Sequence, residues 1–145
     1  FSILTSGNFL NEGISILENS TLVELFCGTA SISIEAISRG AGHIVLIDED
    51  PEVLAYNKEC FARLGEENKV TLIRCDATNL PKAKVKCDIA FIDAPYKKNL
   101  TNRALKSLLK NAWLNTNAIV IVETLKYEDL IIPDGLEQFD ERIYG

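Results

Sequence analysis

The sequence has no methionine, one tryptophan and one histidine among its 145 residues. Without methionine the chain does not start at a natural initiation codon, and it stops at Tyr144-Gly145 while still reading as ordered sequence. It is therefore expected to be one domain, residues 1–145, lacking both natural ends. The lone histidine, His43, has no neighbour at metal-ligand spacing, so no metal site is expected and the residue reads as a strand-edge position. Cys27, Cys60, Cys75 and Cys87 lie 33, 15 and 12 positions apart and form no Cys-x-x-Cys pair. Reduced, buried thiols are expected in place of a zinc cluster or redox pair. No apolar run approaches the ~18 residues of a membrane span, and Phe1 to Gly7 lacks the basic flank of a signal peptide. The expected setting is soluble and cytoplasmic, as a monomer.

Basic residues are also in the minority, 15 against 21 acidic ones, for a formal charge of −6. That sum excludes a uniformly basic nucleic-acid binder, but the charges are unevenly placed. Residues 1–81 carry 5 basic and 12 acidic side chains, residues 82–112 carry 8 and 2, and residues 113–145 carry 2 and 7. The basic middle comprises Lys82, Lys84, Lys86, Lys97, Lys98, Arg103, Lys106 and Lys110. It reads either as a patch that neutralises substrate phosphates or as a solvated loop and helix face.

What is present is a hydrophobic content of 47%, enough for a sizeable core. Apolar runs and helical stripes alternate. Thr21 to Cys27 predicts a strand, Gly28-Thr29-Ala30 a tight turn, and Ser31 to Arg39 a helix stopped by Gly40. His43 to Ile47 predicts a second strand, followed by a helix from Pro51 to about Leu64 with Asp50 as N-cap. Its apolar stripe is Val53, Leu54, Cys60, Phe61 and Leu64, with Asn57 on the same inward face and expected to hydrogen-bond a neighbouring turn. Further strands are predicted at Val70 to Cys75, Asp88 to Ile92 and Ala118 to Val122, a helix at Leu100 to Leu109, and a weaker strand from Gln138 to Tyr144. The first twenty residues read as a helix and loop. This alternation predicts an α/β fold with parallel strands between helical layers.

Small residues between the first strand and its helix, in Glu24-Leu25-Phe26-Cys27-Gly28-Thr29-Ala30-Ser31, let backbone amides approach a ligand. A dinucleotide fingerprint needs glycine where this chain has Ala30 and Ser33, which weakens a nicotinamide reading. Asp48, about twenty residues beyond Gly28, stands where an acid accepts the hydroxyls of an adenosine ribose. Asp76 is placed to accept from an adenine amino group, with the Ala77 amide facing a ring nitrogen. Together Glu24, Asp48, Asp76 and Asp93 put an acid at four strand ends, and such a crevice suits a sulfonium cation better than a pyrophosphate.

The fourth of these acids opens Asp93-Ala94-Pro95-Tyr96, directly after the apolar run Ile89 to Ile92. Pro95 cannot supply a ladder donor, so the strand must end here and Asp93 lies at its carboxyl end, where open α/β sheets bind ligands. A carboxylate, a stiffened backbone and an aromatic ring make an amine-methylation site.

Leu25-Phe26-Cys27-Gly28-Thr29-Ala30, then Glu35-Ala36-Ile37-Ser38-Arg39-Gly40-Ala41, then Asp93-Ala94-Pro95-Tyr96 resemble the motifs of the bacterial 16S ribosomal RNA (guanine-N2) methyltransferases. The likeness spans nearly the whole chain. The Ser-Arg-Gly-Ala stretch is its more family-specific part, since the other two motifs alone indicate only an amino-methyltransferase. The resemblance implies a Rossmann-like class I methyltransferase: a mostly parallel twisted sheet with helices on both faces, and a final antiparallel strand that this chain is expected to lack. It implies S-adenosylmethionine as cofactor and 16S ribosomal RNA or the small ribosomal subunit as partner. The family's basic amino-terminal hairpin is expected to be missing from this chain, which would account for an acidic remainder.

Two positions depart from the family pattern: Ala30 replaces the second glycine of Gly-x-Gly, and Ala94 replaces the first proline of Asp-Pro-Pro-Tyr. Ala30 should be tolerated if its φ is negative. Ala94 keeps its carbonyl, and Pro95 biases it to an extended conformation, so retained activity is expected. Asp93 and the Ala94 carbonyl are expected to accept the two hydrogens of a guanine amino group, while Tyr96 stacks on the extruded base. The alternatives are a DNA adenine or protein glutamine methyltransferase, a nicotinamide-dependent oxidoreductase, or a non-catalytic RNA-binding scaffold.

Overall fold

A computed structural model describes residues 14–96, 99–124 and 129–138. In chain order the elements are α1 (Ile14–Leu17), β1 (Thr21–Leu25), α2 (Ser31–Ser38), β2 (His43–Asp48), α3 (Pro51–Arg63), a 3-10 turn (Glu67–Lys69), β3 (Val70–Arg74), β4 (Cys87–Ile92), α4 (Leu100–Lys110) and β5 (Leu114–Val122). The strands form one sheet in the order β3-β2-β1-β4-β5, and every pairing is parallel. The central strands β1, β2 and β4 are nearly continuous apolar runs because helices cover both faces.

Strand alternation divides the core in two. Leu22, Ile44, Leu46 and Ile89 face α2 and α3, where they meet Ile32, Ala36, Leu54 and Phe61. Val23, Leu25, Ile47 and Ile92 point the other way, toward Leu105 and Leu108 of α4 and Trp113. As expected, α3 is capped by the Asp50 side chain, which accepts from the Glu52 amide at 2.9 Å. All four cysteines are free, with Cys27 and Cys87 buried. At the first position of β2, His43 places Nε2 2.7 Å from the Thr71 hydroxyl on β3.

Several sequence readings need correction. Leu64 does not belong to the inward stripe: α3 stops at Arg63, Gly65 turns the chain with φ 71°, and Leu64 is left 55% exposed. Strand β5 starts at Leu114, ahead of the expected Ala118, with a register irregularity against β4 between Cys87 and Ile89. Helices do not separate every strand. Residues 75–86, between β3 and β4, form a helix-free crossover that turns at Ala77-Thr78 and bends at Lys84-Val85, with Pro81 removing a helical donor. The crossover is tied to α4 instead. Arg103 donates to the Thr78 hydroxyl at 3.3 Å, the Leu80 amide to the Ser107 hydroxyl at 2.8 Å, and the Ala83 amide to the Asn111 carbonyl at 3.0 Å. Positions 103, 107 and 111 share one helix side, so loop and helix run side by side.

Residues 1–13, most of the expected strand from Gln138 to Tyr144, and Lys97 and Lys98 lie outside the described residues. Among the described residues no helix is long and apolar enough to cross a membrane.

Candidate active site

From β1 the chain proceeds outward to β2 and β3, then crosses back to β4 and β5 on the other side. Connections therefore diverge above the carboxyl ends of β1 and β4, and such a switch point opens a crevice. A cavity of about 270 Å³ lies there. Five residues singled out in the sequence line it: Glu24, Phe26, Gly28, Thr29 and Asp93. Cys27 and Ser31, from the same motif segment, also line it, and Ile32, Phe91 and Glu123, which were not singled out, complete the lining. Glu123 could have been found, because it follows β5 as Asp93 follows β4, and its amide donates to the Ile92 carbonyl at 2.9 Å. A larger hollow of about 690 Å³ lies against β5 and residues 132–137, but it follows the strand's flank and contains none of the expected residues.

Strand parity turns Glu24 toward α2, where its Oε1 accepts from the Ser33 amide at 3.2 Å and the Ser33 hydroxyl at 2.6 Å. Burial pushes its carboxyl up from 4.5 to about 7; the two Ser33 bonds oppose the shift and the Asp93 charge adds to it. Asp93 is exposed, yet partial desolvation in the crevice also raises its carboxyl. Two acids thus share one site, each with its carboxyl raised above its ordinary range. Cys27 is pushed up to about 12, first by burial and then by the charges of Asp48 and Glu24, so it is a neutral thiol and no nucleophile.

The loop from Phe26 to Ala30 holds three left-handed residues, Phe26 (φ 55°), Gly28 (φ 49°) and Ala30 (φ 56°). The condition placed on Ala30, a negative φ, is not met. Its left-handed backbone costs about 1–2 kcal/mol. Part of that is offset by the fully buried methyl, worth about 0.8 kcal/mol. At Gly28 a Cβ would meet nothing within 4 Å, so this backbone faces open space that a ligand can occupy.

Asn57 pins the loop. Fully buried, it donates from Nδ2 to the Gly28 carbonyl at 2.7 Å and the Val53 carbonyl at 3.1 Å, the turn contact expected from its inward position. Asp48 holds the same turn from β2: its Oδ2 accepts from the Gly28 amide at 3.3 Å, and its Oδ1 from the Asp50 amide at 3.0 Å. A carboxylate has about four acceptor sites, so both oxygens keep capacity for hydroxyl donors.

The remaining expected residues lie outside this cavity. Asp76 follows β3, and both its described bonds fall on Oδ1, from the Thr78 amide at 2.8 Å and hydroxyl at 2.7 Å. Those bonds hold its carboxyl below the usual range, helped by Arg103. Ala77 is buried against the α4-side core, Ala94 packs on that core, and Pro95 is exposed. Tyr96 is 65% exposed. The described members of the basic stretch do not surround Asp93 in space. Among the described residues of that stretch, Lys82, Lys84 and Lys86 precede Cys87 at the amino end of β4, about 20 Å of strand away, and only Arg103 approaches the strand carboxyl ends, through Thr78.

Residues 2–145 match the protein family described as Conserved hypothetical protein 95. The chain belongs to this family. Among curated proteins it is 30% identical to "Uncharacterized methylase RP545" of Rickettsia prowazekii, an alignment covering 100% of this chain and 80% of the relative. It is 29% identical to "Ribosomal RNA small subunit methyltransferase D" of Haemophilus influenzae, over 89% of this chain and 69% of that one. A solved structure, "putative methylase HI0767" of Haemophilus influenzae, superposes with a TM-score of 0.86 at 26% identity, covering 97% of this chain and 82% of that one. The family fold is thus the Rossmann-like class I methyltransferase fold expected from the motifs, here with five parallel strands among the described residues.

Proposed function

We propose that this protein is an S-adenosylmethionine-dependent methyltransferase that modifies the exocyclic N2 of a guanine in 16S ribosomal RNA. The observation that carries the reading is the meeting of Glu24 and Asp93 in one crevice beside the open backbone of Gly28, at the switch point of the sheet. Relatives named as methylases and as small-subunit ribosomal RNA methyltransferases support it.

The residues present fit this cofactor. The acid-lined crevice suits a sulfonium and disfavours a pyrophosphate, Asp48 keeps acceptor capacity for ribose hydroxyls, and Asp76 keeps Oδ2 for an adenine amino group. When bound, the cofactor supplies an activated methyl group, so the protein's task is orientation and electrostatics.

A guanine amino group is a poor nucleophile because its lone pair is delocalised into the ring. Asp93 and the Ala94 carbonyl accept its two hydrogens, which favours a tetrahedral nitrogen with its lone pair directed at the methyl carbon. Asp93 or water would take the proton released as the nitrogen–carbon bond forms at the expense of the cofactor's sulfur–carbon bond. Pro95 stiffens the turn, and the exposed ring of Tyr96 is available to stack on the extruded base, a contact worth about 1–3 kcal/mol. The test is transfer of a labelled methyl group to 16S ribosomal RNA, followed by nucleoside digestion and mass analysis. N2-methylguanosine is the expected product; a methylated adenine or protein side chain, or no transfer, contradicts the reading.

A further inference from the structure

The basic residues that sequence order places around Asp93 are arranged in space as a ridge leading away from it. The helix-free crossover and α4 run side by side down one face of the sheet, joined by the bond that Arg103 donates to Thr78 and by those that Leu80 and Ala83 donate to Ser107 and Asn111. The two segments, residues 77–86 and 99–112, carry Lys82, Lys84, Lys86, Arg103, Lys106 and Lys110 and no acid. All six cations are exposed. The only ion pairs among the described residues are Arg39–Glu35 and Lys69–Glu66, so none of the six is in ion-pair contact, though Arg103 lies near enough to Asp76 to lower its carboxyl. In a chain of net charge −6, this segregation leaves one face attractive to a polyanion that the rest of the surface repels.

We propose that this ridge is an RNA-backbone track, binding phosphates of the substrate beyond the nucleotide that enters the crevice. The proposal rests on the ribosomal RNA reading above. Arg103 begins the track near Asp76 at the strand carboxyl ends, Lys106 and Lys110 continue it about 10 Å along the helix, and the crossover lysines extend it to the amino end of β4. A run of about 20 Å is long enough to meet the phosphates of several successive nucleotides. Lysine ammonium groups on flexible stems act as point charges, so the track fixes the substrate's register without reading its bases.

The test compares the wild type with a variant carrying Lys82→Gln, Lys84→Gln, Lys86→Gln and Lys110→Gln. Binding of a 16S ribosomal RNA transcript is measured between roughly 50 and 200 mM salt, and methyl transfer is measured at saturating RNA. The expected result is a salt-dependence slope smaller by about 2–3, a Kd raised about tenfold or more near 100 mM salt, and unchanged kcat. An unchanged slope and Kd would overturn the proposal and leave the ridge to an acidic protein partner. A fall in kcat at saturating RNA would also overturn it, since the lysines would then serve the fold or the chemistry. A wild type that binds the transcript without transferring methyl groups refutes the functional reading, while the slope comparison still decides the track.

Discussion

Replacing Asp93 with alanine is expected to lower kcat for methyl transfer by on the order of 10²–10³ or more, as for loss of a group aimed at developing transition-state charge. Cofactor affinity should stay within a few-fold of wild type. Asp93 is exposed and accepts no hydrogen bond from the described residues, so its removal exposes no core and unpairs no buried donor. Stability should therefore change by about 0.5 kcal/mol or less. Labelled-methyl transfer gives kcat, and calorimetric titration with S-adenosylhomocysteine gives affinity. Asp93→Asn should recover only part of the rate, since it keeps one acceptor and presents a donor to the amino group. Near-normal turnover in Asp93→Ala would remove the assignment of the carboxylate to the reaction.

The second large effect concerns Glu24 and pH. Its carboxyl titrates at about 7 in the fold against 4.5 ordinarily, so between these values the folded protein holds a proton that the unfolded chain has lost. Stability from this group is complete below about 4.5, falls as pH rises, and is gone above about 7, a difference on the order of 3 kcal/mol. Binding of a cation has the opposite preference, because ionised Glu24 attracts a sulfonium and the protonated acid does not. Affinity for S-adenosylmethionine should thus rise as pH passes from 6 to 8, with about one proton released when binding occurs near pH 6. Glu24→Gln keeps an acceptor for Ser33, so it should be more stable than wild type at pH 8 and bind the cofactor with flat pH dependence. Calorimetry in buffers of different ionisation enthalpy counts the proton, and thermal melts at pH 5 and pH 8 read the stability. A wild-type affinity independent of pH would contradict this role.

Much of the fold was legible because its signals are local. Apolar runs marked β1, β2 and β4, and Asp50 with Pro51 marked the start of α3. The crossover from β3 to β4 was not legible as a helix-free segment, because its shape depends on Ser107 and Asn111, nearly thirty residues later, which supply its partners. For the same reason the lysines at 82, 84 and 86 were near Asp93 only in sequence: the whole length of β4 lies between them. In the candidate site, acids at strand ends located Glu24 and Asp93, and the same rule applied to β5 finds Glu123. What the rule could not foresee was that Glu24 faces α2 and is bonded by Ser33, which sets its protonation. Nor does composition reveal that Ala30 adopts a left-handed backbone, since that follows from the turn's closure by the Cys27 carbonyl and from core packing around its methyl.

The most direct test of the central claim is a crystal structure of the protein with S-adenosylhomocysteine. The account predicts the sulfur between Glu24 and Asp93, the amino-acid portion over Gly28, the ribose hydroxyls on Asp48 and the adenine beside Asp76 and Ala77. A ligand seated elsewhere, such as the hollow along β5, or one whose sulfur lies beyond reach of Asp93, would contradict it.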